Sequence, residues 1–309
     1  MKKYFKITCL FSIILLLFAY CKPNTPLPTA SIIAKVTNNV VIFTLETSNS
    51  SAYKWRFGDG DSAIVYSSVA VTHAYPKDGA TYSVSVMVLG PGGETNASTT
   101  VNIPVMNQID MLTGGTSYPK GKAWRISSSH GIELTKPDSN FTVLKNYPAG
   151  VFNTIGLSGA YLDQYIFFSN SNYTISPQSG GVLAGIIHCT VNSIPNVQPQ
   201  AADSVGLTYA TPYKPQTGLT FTMNKGKNLI IPTTADGIST SNVRYNNVNT
   251  LSFALNGFVG LMDFMSECII QQIDPSHMTL AIFISDVQAQ APQVGKVTKV
   301  LIVTLEVAN

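Results

Sequence analysis

Asp263 and Glu267, in the segment DFMSE, are the pair of carboxylates whose spacing most invites chemistry. A glycoside hydrolase holds two such groups about 5–10 Å apart across a cleft. Residues four apart instead share one face of a helix, so this pair reads as surface or helix-end groups, and a hydrolase stays as an alternative. Ser117 and Lys120, in SYPK, have the S-x-x-K spacing of acyl-enzymes, but Pro119 and the glycines before it oppose the required helix, and the partner motifs are absent. The histidines, His73, His130, His188 and His277, show no H-x-H or H-E-x-x-H spacing, so no metal or cofactor is expected. His188, beside Cys189 in GIIHCTV, reads as a strand residue.

Non-catalytic sugar binding asks for less: aromatic faces with a polar handle, set among amides and hydroxyls. Tyr118, Tyr147, Tyr161, Tyr165, Tyr209 and Tyr213 lie in turn-like segments where a strand does not require them, and they are the candidate ligand-binding residues. Prolines flank Tyr213 in TPYKP and stiff loops follow. Trp124 sits at a strand position and reads as core.

Charged residues are 11% of the chain, so the surface is polar but weakly charged, suited to neutral ligands. Lys2, Lys3 and Lys6 precede the apolar run CLFSIILLLFAY, which is too short to span a bilayer and reads as a secretory signal over residues 1–21. Its end at Cys21 points to a lipoprotein, cut before that cysteine and acylated on its sulfur. Without the three lysines, basic and acidic residues balance, and no cluster remains to hold nucleic acid. Cys189 and Cys268 are then the remaining cysteines; a disulfide and two buried free thiols are both open.

These groups must be held by something, and the chain supplies strands. Residues 22–30, KPNTPLPTA, read as a tether. From residue 31, runs such as VVIFTLE, YKWRF and TYSVSVMVLG alternate between turn clusters, which predicts a small β-sandwich of immunoglobulin type without helices. Within it Trp55 and Phe57 share the core face and Lys54 and Arg56 face solvent. The series W-x-F-G-D-G, H-x-Y, G and Y-x-V-x-V is carried by Trp55, Phe57, Gly58, Asp59, Gly60, His73, Tyr75, Gly79, Tyr82, Val84 and Val86. It resembles the PKD domain, over residues 31–104. The resemblance implies a spacer or adhesion module of surface and secreted proteins, with structural roles for those residues. Asp59 and Asp61 fall short of a calcium shell of 6–8 oxygens.

Residues 105–122 read as a linker, and LTGG with KAWRI resembles the entry to an all-β domain in PKD-bearing lipoproteins of glycan-degrading bacteria. Over 123–309 the expected strands are KAWRI, YIFFS, NYTIS, GIIHCTV, LTFTM, NLIIP, TLSFAL, ECIIQQI, MTLAIFI and KVLIVTLEV, with a hairpin turn at Asp274-Pro275-Ser276-His277. Residues 258–267 are the one place whose sequence allows a short helix. The expected fold is all-β: the immunoglobulin-like sandwich, then a larger jelly-roll or lipocalin-like domain. The expected protein is a non-enzymatic lipoprotein anchored in the outer membrane, at the cell surface or on the periplasmic face. It would bind polysaccharide or oligosaccharide through the second domain, an envelope protein being the alternative partner.

Overall fold

The computed structural model describes residues 25–66, 70–76, 79–178, 180–194, 205, 208–287, 289 and 291–308. The signal segment and Cys21 lie outside them. The chain divides near Asn102 into two compact units.

The first unit is a sandwich. Strands β1 (Thr29–Thr37), β2 (Val40–Ser48) and β5 (Val71–Ala74) form one sheet, and β4 (Ser62–Val65), β3 (Ala52–Arg56), β6 (Thr81–Gly90) and β7 (Gly93–Asn102) the other. Period-2 alternation decides which side chains enter the core. Trp55, Phe57, Val84, Val86 and Val88 are buried, while Lys54 and Arg56 are exposed, as the pattern predicts.

The second unit begins with helix α1 (Gln108–Thr113), inside the expected linker. Asn107 caps it, its side chain accepting from the Asp110 amide, and Gly114 ends it in the left-handed conformation. There follow β8 (Lys122–Ile126), β9 (Ile132–Thr135), β10 (Val143–Tyr147), α2 (Val151–Thr154), β11 (Gln164–Phe167), β12 (Tyr173–Ser176), β13 (Gly181–Gly185), α3 (Ile186–Val191) and β14 (Thr208–Pro212). The chain closes with β15 (Phe221–Thr233), β16 (Ser241–Phe253), β17 (Glu267–Ile273), β18 (His277–Ile284) and β19 (Lys299–Val307).

One antiparallel path, β12-β11-β8-β19-β18-β17-β16-β15, carries the unit, with β9 and β10 branching from β19. A bridge between Asn172 and Thr220 joins the two ends of this path, so the sheet returns on itself. Alternate residues face inward, and Trp124, Phe167, Phe221, Leu251, Leu280 and Val303 share one core. Opposite faces of the same strands supply a second cluster around Leu229, Tyr245, Phe283 and Val300.

Residues 258–266 form bends and a bridge, not the short helix their sequence allows, and Glu267 opens β17. The segment GIIHCTV turns helical at Ile186, so His188 and Cys189 stand on α3 rather than on a strand. The hairpin turn holds: the Asp274 amide donates to His277 O at 2.9 Å, and Asp274 Oδ1 accepts from the amides of Ser276 and His277.

Candidate functional site

Burial separates the six tyrosines. Tyr165 lies on β11 opposite Trp124, is 1% exposed, and donates its hydroxyl to Gly260 O at 3.2 Å. Tyr161 is buried against Phe152, whose amide donates to its hydroxyl at 3.1 Å. Tyr147 ends β10 with its ring buried and Lys145 Nζ 4.8 Å from the ring centre. None of these three presents a face on which a sugar could stack, and the expected role fails for each: their turn-like segments fold in to join the core cluster. Tyr118 is half-buried against Gly114, where an added Cβ would lie 2.1 Å from the ring. Tyr209 lies on β14, and its side chain is outside the described residues.

Tyr213 is different, because it lines an open cleft of about 380 Å³. The cleft takes His188 and Asn192 from the α3 segment, Gln216 from the loop after Tyr213, Asn256 from the turn after β16, and Asp263 and Phe264 from the segment before β17. Tyr213 meets Phe258 edge to face at 5.5 Å, and His188 meets Phe264 in the same way at 5.0 Å. The Asn192 carboxamide donates to His188 O at 2.8 Å. Burial lowers the His188 pKa, which favours the neutral ring, and burial raises that of Tyr213 against the Gln216 backbone. Leu255 and Asn256 both adopt left-handed φ, 54° and 58°. For Leu255 that conformation costs on the order of 1–2 kcal/mol, a strain that the surrounding structure must enforce. A larger groove of about 430 Å³ between Lys136, Thr233 and Lys299 has no aromatic ring in its walls.

The two carboxylates part company. Asp263 Oδ1 accepts from the Phe264 amide at 2.7 Å and the Ser285 amide at 3.4 Å, while Oδ2 is buried without a partner. Burial, with Asp286 adding to it, pushes the Asp263 carboxyl up to about 7. Glu267, on β17, accepts from Lys227 Nζ and Thr250 Oγ1, both at 2.6 Å. Burial alone would raise its pKa, but the hydrogen bonds from Lys227, Thr250 and Ser252 outweigh it and hold the group below the usual range. Asp263 stands at the cleft, whereas Glu267 is spent on Lys227 and Thr250. Cys189 and Cys268 are free and buried in this structure. Burial pushes them up to about 11 and about 12.

Sequence reasoning missed His188, Asn192, Gln216, Asn256 and Phe264. They come from separate segments, and of the cleft the sequence marked only Asp263 and the proline-flanked Tyr213.

In the first unit, Gly58 takes φ +88°, and an added Cβ would lie 2.5 Å from Ser83 O, so only glycine fits there. Asp59 Oδ1 accepts from the Asp61 amide at 3.1 Å, and Asp59 Oδ2 pairs with His73 Nε2 at 2.7 Å. The His73 ring stacks on Phe57 at 4.0 Å. Ligand-type atoms of Asp59, Asp61 and His73 lie within 4.8 Å of one another. Both Asp59 oxygens are already engaged inside this turn, which gives the trio a structural explanation.

Residues 30–103 match the PKD domain family. Among solved structures, the PKD1 domain of Vibrio anguillarum Epp is similar at 22% identity and a TM-score of 0.24, over 26% of this chain and 99% of that one. The PKD1 domain of the Vibrio cholerae metalloprotease PrtV is similar at 26% identity and a TM-score of 0.24, over 26% of this chain and 100% of that one. No curated protein matches the chain. Residues 30–103 are thus a PKD domain of immunoglobulin-like fold, followed in the same chain by a larger β domain.

Proposed function

We propose that the protein is a non-catalytic envelope lipoprotein that binds uncharged glycan in the cleft of its second unit, with the PKD domain as spacer. One observation carries this reading: the cleft combines the rings of Tyr213 and Phe264 with the carboxamides of Asn192, Gln216 and Asn256, and among the described residues no lysine or arginine lines it. Rings that stack on pyranose faces and amides that pair with hydroxyls form a surface for neutral, polyhydroxylated ligands. A PKD domain suggests an extracellular or surface module, in keeping with a secreted chain. The basic and apolar start of the sequence and Cys21 support lipid anchoring in the outer membrane. No helix among the described residues is long and apolar enough to cross a membrane.

The test is affinity electrophoresis of the protein without residues 1–21 on a panel of neutral polysaccharides. Retardation by at least one polysaccharide is expected, weakened about tenfold by Tyr213→Ala or Phe264→Ala and unchanged by Tyr66→Ala, an exposed ring of the first unit. No retardation on any polysaccharide removes the reading. Release of reducing sugar by the wild type would replace it with an enzyme.

A further inference from the structure

His130 and His277 are far apart in sequence, yet the fold sets their ring centroids 5.2 Å apart with the planes at 58°. His130 follows β8, and His277 opens β18, directly opposite Glu306 on β19, which in turn pairs with Arg125 on β8. Arg125, Glu306 and His277 therefore stand on three adjacent strands, β8, β19 and β18, while Ser127 and His130 lie in the turn that follows β8.

The hydrogen bonds decide which ring nitrogen of His130 is free. Glu306 Oε1 accepts from Arg125 Nε at 2.9 Å and lies 2.8 Å from Arg125 Nη2. A carboxylate only accepts, so Ser127 Oγ must donate its single proton to Glu306 Oε2, 2.7 Å away. Ser127 Oγ is then an acceptor toward His130 Nδ1, at 2.8 Å, and Ser129 Oγ stands 2.9 Å from Ser127 Oγ and 3.2 Å from the same ring nitrogen. The shorter contact, to Ser127, favours the proton on Nδ1 and the lone pair on Nε2. At His277, Asp274 Oδ1 lies 3.9 Å from Nδ1, beyond hydrogen-bond reach, and accepts instead from the amides of Ser276 and His277.

A carboxylate that fixes the tautomer of an imidazole through its other nitrogen is the usual outer shell of a histidine metal ligand. The separation agrees. With a metal–nitrogen bond of about 2.0–2.1 Å and about 1.1 Å from nitrogen to ring centre, two imidazoles at a tetrahedral angle have centroids about 5.2 Å apart.

We propose that His130 and His277 form a two-histidine site for a borderline divalent transition ion, Zn²⁺ or Cu²⁺, completed by water. Neutral imidazoles prefer such ions, whereas Ca²⁺ and Mg²⁺ require oxygen shells. The site is independent of the glycan cleft, since neither histidine lines it.

The test is isothermal titration of the whole chain without residues 1–21 with Zn²⁺ alone at neutral pH, alongside electron paramagnetic resonance of the Cu²⁺ form. We expect a saturable ion per chain with nitrogen coupling in the Cu²⁺ spectrum. Its affinity should fall at least tenfold in His130→Gln and in His277→Gln, both exposed or half-exposed positions. Ser127→Ala, which removes the relay from Glu306, should cost about tenfold with both ligands still present. Asp61→Asn should leave binding intact, which excludes the Asp59–His73 turn as its source. Absence of Zn²⁺ and Cu²⁺ binding, or binding unchanged in the double variant His130→Gln/His277→Gln, would overturn the proposal.

Discussion

Asp263 lies so close over Gly185 that a Cβ added at Gly185 would stand 2.1 Å from the carboxyl Oδ2. Gly185 has an ordinary φ of −70°, so its lack of a side chain serves space and not backbone freedom. The backbone on both sides is tied down, because the Gly185 amide donates to Met262 O at 2.9 Å. Gly185→Ala is therefore expected to destabilise the second unit by about 1–3 kcal/mol, as overpacking does. Urea denaturation of Gly185→Ala, Asp263→Ala and the double variant checks this. The double variant should be more stable than the sum of the single effects predicts, because the clash needs both residues.

The same burial makes stability depend on pH. The folded Asp263 carboxyl titrates at about 7, against 3.8 for its usual value. A folded pKa above the unfolded one means that the native state holds a proton that the unfolded chain has released. Its stabilising contribution is complete below pH 3.8 and is lost as pH rises toward 7, with a slope set by the difference in bound protons. Asp263→Asn keeps the shape and removes the titration. The variant should flatten the decline of thermal stability between pH 4 and 7 and exceed the wild type at pH 8; an unchanged slope would show that the carboxyl is solvated.

Why some of this was legible and some was not follows from where the information sits. The alternation in KAWRI places Lys122, Trp124 and Ile126 on one face, and all three are indeed buried. What alternation does not say is that a lysine there goes inward with its rank-mates. The WRFGDG stretch was readable because its chemistry is local: an aromatic pair on one strand face and glycines in the turn. The cleft was not readable, because the segments of Asn192 and Phe264 meet through a bridge between Ala184 on β13 and Met262, which are far apart in sequence. Tyr161 and Tyr165 misled because turn-like neighbours say nothing of whether the turn folds over the core. His188 misled because Ile186 and Ile187 favour a strand locally, and the helix starting at Gly185 overrode that preference.

Lys122 is fully buried, and its ammonium donates to Met111 O at 2.6 Å and Pro275 O at 2.7 Å, with the Trp124 ring centre 4.4 Å away. These contacts join α1, β8 and the β17–β18 turn through one side chain. Burial lowers its pKa from 10.5 to about 7 despite the opposing pull of Asp274. The sign is opposite to that of Asp263: the unfolded chain holds the proton that the native state has lost. The contribution is complete above pH 10.5 and is lost as pH falls through 7, so this group makes stability rise with pH over that window. Lys122→Met fills similar volume without a charge to desolvate, and thermal melts between pH 7 and 10 should show the rise abolished. Lys122→Ala also leaves a cavity and two carbonyls unpaired, and it should cost about 2–5 kcal/mol at every pH in the range. If Lys122→Met retained the full rise, the titrating group would lie elsewhere in the unit.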